Sequence, residues 1–218
     1  MRIAWLGLLD IDDIAPRPRA QEHLARLASH VVAASQNHWE IALISCGGHS
    51  LRKMLGPGVE RLVLPVAGGP SPVWDRVSWL LPQQVMEADV VHLHDGFSRS
   101  CEVAWLAAKP LGKPVCLTEW GVEGPWLSTE LCLREMADAV FCHSERAVQA
   151  GKGRPVVFAR CDVELRQLGV PAPWPAKNRL DGYRDEPILA TDEQYAEAGK
   201  CICQAYQRLT AHRRRAAA

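Results

Sequence analysis

Tyrosine and phenylalanine are scarce in this chain of 218 residues, three of each, against eight tryptophans. An excess of charge of one sign is absent too, since 25 basic residues balance 25 acidic ones. That balance excludes the broad basic field on which nucleic-acid binding rests, and no nucleic-acid partner is expected. No run approaches the ~20 apolar residues of a membrane span. The start lacks the pattern of a secretory leader: Arg2-Ile3-Ala4-Trp5-Leu6 enters a strand pattern and then meets Asp10, Asp12 and Asp13. C-x-x-C is missing, so the eight cysteines suggest neither zinc nor a dithiol redox motif. Several sit in apolar runs such as Val115-Cys116-Leu117 and Phe141-Cys142, where buried reduced thiols and a cytoplasmic location are the expectation. Gly7 stands without the rest of G-x-G-x-x-G, which argues against a nicotinamide site, and no cofactor is expected.

What is present is a globular composition, 48% hydrophobic with a mean hydropathy of −0.11. The length suits one large domain, or one domain with an appendage. Strand and helix patterns alternate. Arg2 to Leu8, Glu40 to Cys46, Val59 to Val66, Asp89 to His94, Pro114 to Thr118, Asp138 to His143 and Pro155 to Ala159 read as strands. A helix over Ala20 to Gln36 carries Leu24, Leu27, Ala28 and Val31 at three/four spacing. A second is expected from Ser71-Pro72, interrupted by Pro82. A third covers Arg99 to Ala108. Such alternation predicts an α/β fold: a single Rossmann-like domain with a mainly parallel sheet and helices on both faces. Trp5, Trp79 and Trp105 read as core residues.

Around Val170 the character changes. Gly169-Val170-Pro171-Ala172-Pro173-Trp174-Pro175 reads as a stiff surface linker. The capping sequence Thr191-Asp192-Glu193-Gln194 then opens a helix with Tyr195, Ala198, Ile202, Ala205, Tyr206 and Leu209 on one face. That stripe requires a partner, and the preceding domain is the large body available. The organisation expected is a domain at 1–168, a linker at 169–190 and a C-terminal helix with a basic tail at 191–218. Arg213-Arg214-Arg215 reads as a solvated tail.

The polar cluster His92, His94 and Asp95 ends a fully apolar strand, where α/β proteins hold their ligands. Two residues apart in a strand, the histidines share a face. A metal would need a third ligand beside them, and none is assigned. Hydrogen bonding to a sugar hydroxyl by His94 and Asp95 is one reading, and satisfying backbone groups at the strand end is the other. Trp120-Gly121-Val122-Glu123-Gly124-Pro125-Trp126 follows another strand end, where Trp120 or Trp126 could stack on a pyranose or a partner surface. Glu119 could act as a general base only with a donor held opposite it. Asp10, Asp12 and Asp13 lack the third-strand aspartate of a phospho-receiver, because Leu64-Pro65-Val66-Ala67 stands there.

From Met1 to about Asp162 the chain resembles the N-terminal, acceptor-side domain of retaining glycosyltransferases of family 4, which have the GT-B fold. The resemblance lies in the opening strand, Ala88-Asp-Val-Val-His-Leu-His-Asp95, Leu111-Gly-Lys-Pro-Val-Cys-Leu-Thr118 and Met136-Ala-Asp-Ala-Val-Phe-Cys-His-Ser-Glu145. Pro155-Val-Val-Phe-Ala-Arg-Cys-Asp162 stands where the family has the strand before its linker. The resemblance implies two Rossmann-like domains across a cleft, the second holding the nucleotide sugar, and a final helix that crosses back to the first. Here the linker leads directly to that last helix, which implies a chain without the donor domain. The family's donor-contacting pair of glutamates eight apart occurs nowhere in the sequence. The glycine pair expected after the first strand is replaced by Leu8-Leu9-Asp10-Ile11-Asp12-Asp13, and the cleft histidine of "T-x-H-G" by Trp120.

The function implied is the acceptor-side half of a family-4-like glycosyltransferase, transferring sugar to a glycan or lipid-linked acceptor. Its partner is expected to be a donor-binding subunit or a second copy of the chain. Glu119 and Asp95 are the candidate catalytic residues, and His92, His94, Trp120, Gly121 and Trp126 the candidate acceptor-binding ones. The alternative is a catalytically inactive glycosyltransferase-like domain serving as a carbohydrate-binding or scaffold subunit.

Overall fold

The strand Arg2–Gly7 (β1) is apolar at Ile3, Ala4, Trp5 and Leu6, and all four are at most 1% exposed. A strand buried on both faces needs neighbours on both edges and a layer above and below. A computed structural model, which describes residues 1–7, 18–66, 75–94, 98–119, 136–142 and 192–216, supplies both. The linker 169–190, the strand expected at Pro155 to Ala159 and the helix start expected at Ser71 lie outside the described residues.

β1 pairs in parallel with Glu40–Gly47 (β2) on one side and Val90–His94 (β5) on the other. Val59–Pro65 (β4) extends the sheet beyond β2, while Val115–Glu119 (β6) and Ala139–Cys142 (β7) extend it beyond β5. An antiparallel edge strand, Leu51–Gly56 (β3), completes the order β3-β4-β2-β1-β5-β6-β7. Taken in chain order, the parallel strands lie 3-2-1-4-5-6, the doubly wound Rossmann arrangement, with its switch point between β1 and β5.

Sequence periodicity missed β3. Leu51-Arg52-Lys53-Met54-Leu55-Gly56 has no buried face, and Met54 is 62% exposed. The signal available was the Pro57-Gly58 turn joining it to β4. Gly58 has φ +68°, and a Cβ there would lie 2.7 Å from the Trp39 carbonyl oxygen.

Side-chain alternation divides the core. Ile3, Trp5, Ile41, Leu43, Val90 and Cys116 face Pro18–Ala34 (α1) and Asp192–Ala216 (α4). Ala4, Leu6, Ala42, Ile44, Val91 and Leu93 face Leu81–Glu87 (α2) and Arg99–Ala108 (α3). The stripe expected on the last helix packs as a stripe must, with Tyr195, Ala198, Ile202, Ala205 and Tyr206 all at most 2% exposed. α4 runs against α1 so closely that Gly199 touches the backbone of His30. Arg26 ties its start down through Asp192 at 2.5 Å, and His30 stacks on Tyr195.

Two aspartates set the parallel register by one device. Asp89 accepts from the Arg2 amide at 2.8 Å while its own amide donates to the Arg2 carbonyl. Asp138 does the same for Val115, again at 2.8 Å. The Ala-Asp pairs at 88–89 and 137–138 therefore cap neighbouring strands, and their carboxylates work at the amino edge of the sheet, away from any site at the carboxyl edge.

Two expectations need correction. Pro82 lies in the first turn of α2, where its missing N–H costs nothing, and so it opens a helix instead of interrupting one. Trp79 is no core residue: it is 87% exposed at the turn before α2. Arg213 is exposed, as a solvated residue should be, and its guanidinium donates to the Leu111 carbonyl at 3.1 Å.

Candidate functional site

The carboxyl ends of β1 and β5 meet at the switch point, where Gly7 stands opposite His94 in register. A Cβ on Gly7 would lie 3.0 Å from the His94 Cβ, so glycine lets the His94 side chain stand directly against β1. His94 is the last residue of β5 and 3% exposed. Its ring stacks on His92 with centroids 4.4 Å apart and tilts over Trp5 at 4.8 Å.

His92 is fully buried one step deeper on the same face. Its Nε2 lies 2.6 Å from Thr118 Oγ1 on the neighbouring strand β6, and its Nδ1 meets the Tyr206 hydroxyl on α4. Trp5 Nε1 lies 2.9 Å from the same hydroxyl. An indole N–H can only donate, so the Tyr206 oxygen accepts there and its proton goes to His92 Nδ1. That leaves Nε2–H to donate to Thr118, and the histidine is neutral. Burial, reinforced by the neighbouring His94, holds its pKa well below the ordinary 6.5. Burial likewise drives the Tyr206 hydroxyl well above its usual range, so it stays protonated. Phe141 stacks on the other side of the imidazole at 5.0 Å.

Of the residues singled out in the sequence, the fold brings His92 and His94 together at this edge. His92 spends both ring nitrogens inside the protein, on Thr118 and Tyr206. Glu119 ends β6 at the same carboxyl edge, in register with Cys142. Asp95, Trp120, Gly121 and Trp126 lie outside the described residues. Among the described residues, no group of three or more His, Cys, Asp or Glu side chains is placed to hold a metal. Sequence reasoning missed Tyr206 and Thr118. The available signal was Tyr206 itself, a hydroxyl in a helix stripe otherwise made to be buried.

No family model matches the chain. No curated protein matches it either. Among solved structures it is similar to a sucrose-phosphate synthase from Thermosynechococcus elongatus, at 15% identity and a TM-score of 0.49, over 96% of this chain and 99% of that one. Among the described residues, no helix is long and apolar enough to cross a membrane.

Proposed function

We propose that the chain is the acceptor-side half of a family-4-like retaining glycosyltransferase, working with a separate donor-binding partner. The observation that carries this reading is α4. This C-terminal helix lies across α1, with Tyr206 bonded to the strand that ends at the switch point. In the family resembled, a final helix makes this contact after the donor domain. Here His94 would meet a hydroxyl of a sugar or lipid-linked acceptor, with Asp95, Trp120, Gly121 and Trp126 completing the pocket. Glu119 would act as base once a donor is held opposite. Among the described residues Cys116, Cys201 and Cys203 are free thiols, which supports a cytoplasmic setting.

Calorimetric titration with UDP-, GDP- and ADP-sugars tests the proposal. The chain alone is expected to bind none of them, and micromolar binding would place a donor site within these residues and end the half-enzyme reading. An inactive carbohydrate-binding or scaffold subunit is the second reading. It is favoured by the acidic run at Asp10, Asp12 and Asp13 beyond β1, which repels a diphosphate. Sugar transfer by the chain with its co-purified partner separates the two: turnover lost on Glu119→Gln supports the enzyme, and acceptor binding without turnover supports the scaffold.

A further inference from the structure

At the opposite, amino edge of the sheet, the turn between α3 and β6 meets the last turns of α4. A cleft of about 220 Å³ lies between them, walled by Lys109, Lys113, His212 and Arg213, by Leu209 and Pro114, and by Asp138. The whole chain is neutral, so this gathering of cations departs from its average. Asp138 is already spoken for: it pairs with Lys109 at 3.1 Å and caps the Val115 amide. Lys113 reaches the carbonyl oxygens of Met86 and Ala88, at the end of α2, and Arg213 reaches that of Leu111. Carbonyl oxygens satisfy donors without cancelling full charges, so among the described residues two positive charges stand without an ion-pair partner across the cleft, with His212 beside them.

Arg213 lies against the turn at Gly112. Gly112 has φ +59°, and a Cβ there would lie 2.2 Å from the Arg213 Nη2. Only a residue without a side chain lets the guanidinium lie against this turn. Among the described residues its partner is one carbonyl, which leaves four of five N–H donors for another acceptor. A fork of that geometry beside an ammonium suits a phosphoryl group, whose double charge matches the two cations where a lone carboxylate would not. The volume is too small for a folded partner, and Leu209 and Pro114 offer an apolar wall to an organic body.

We propose that this cleft is a binding site for the phosphoryl group of a small phosphorylated molecule, separate from the carboxyl-edge site and independent of its function. The rival account is that the cations only tie down helix ends and a turn.

Calorimetric titration of the full chain with inorganic pyrophosphate at low ionic strength tests it. Saturable binding at one site is expected, weakened about tenfold or more by Arg213→Gln. Gly112→Ala keeps every charge while displacing the guanidinium, and a similar loss is expected from it. Thermal unfolding of each variant establishes that it is folded, and Arg213→Gln decides alone if Gly112→Ala is not. No saturable binding, or binding that Arg213→Gln leaves unchanged, would overturn the proposal and leave the helix-end account standing.

Discussion

Removing one oxygen atom from Tyr206 tests the reasoning about the buried network most directly. Tyr206→Phe keeps the ring, and with it the packing against Trp39 at 6.1 Å and against His92 at 5.8 Å. What it deletes is the partner of two buried groups, Trp5 Nε1–H and His92 Nδ1. Stranding a buried donor or acceptor costs about 1–3 kcal/mol each, so the pair should cost roughly 2–6 kcal/mol. For a chain of this size each kcal/mol lowers Tm by about 2–4 °C, which puts the expected fall at roughly 4–24 °C. Urea unfolding followed by tryptophan fluorescence measures the free energy directly. Trp5→Phe removes one of the stranded groups beforehand, so in the double variant the cost of Tyr206→Phe should shrink by about 1 kcal/mol or more. A loss below about 0.5 kcal/mol in the single variant, typical of a surface change, would refute the network as a stabilising element.

Three further outcomes are expected. The His92 pKa is depressed in the fold, so the unfolded chain takes up the proton first as pH falls. Stability should hold level above about pH 6.5 and drop by up to about 1.4 kcal/mol per pH unit below it, a slope that His92→Gln should abolish in urea midpoints. Gly199→Ala gains about 1 kcal/mol of helix propensity, yet its Cβ would sit 2.7 Å from the His30 carbonyl carbon. Backbone cannot swing aside as a side chain can, so a net loss of about 1–3 kcal/mol is expected, and a gain would show that α1 and α4 pack less closely. Trp79→Ser should change stability by less than about 0.5 kcal/mol, because an 87% exposed ring has little packing to lose.

The fold was legible wherever burial leaves a periodic mark. Val90-Val91-His92-Leu93 is apolar on both faces save for one histidine, and it lies fully buried as a continuous run predicts. The stripe of α4 kept its spacing for the same reason. Edge elements leave no such mark: β3 is solvated on both faces, and its residues Leu51, Arg52, Lys53, Met54 and Leu55 keep no alternation. Trp79 was misplaced because its composition says only that a ring would favour burial. Whether a wall exists to receive it depends on elements far away in sequence. Arg213 is solvated, as its arginine neighbours suggest, but the charge pattern does not reveal that its guanidinium lies against Gly112.

The candidate site was half legible for a related physical reason. A strand that stops on polar residues marks the carboxyl edge of a parallel sheet, and this located His92 and His94 at once. It could not divide their roles, because period two gives them the same face and the same chemistry. The division comes from depth. His92 lies within reach of Thr118 and of a tyrosine 114 residues later, which consume both its nitrogens. His94, one step nearer the strand end, stands over Gly7 at the switch point. The tyrosine that fixes the inner histidine belongs to α4, so the carboxyl edge around His94 and the docking of α4 are one structural unit. A variant that loosens α4 should therefore disturb the His94 ring without touching it, and the histidine resonances in the NMR spectrum of Tyr206→Phe would show that directly. If they match those of the unmodified chain, the helix and the site are independent, and the docking of α4 no longer argues for the function proposed.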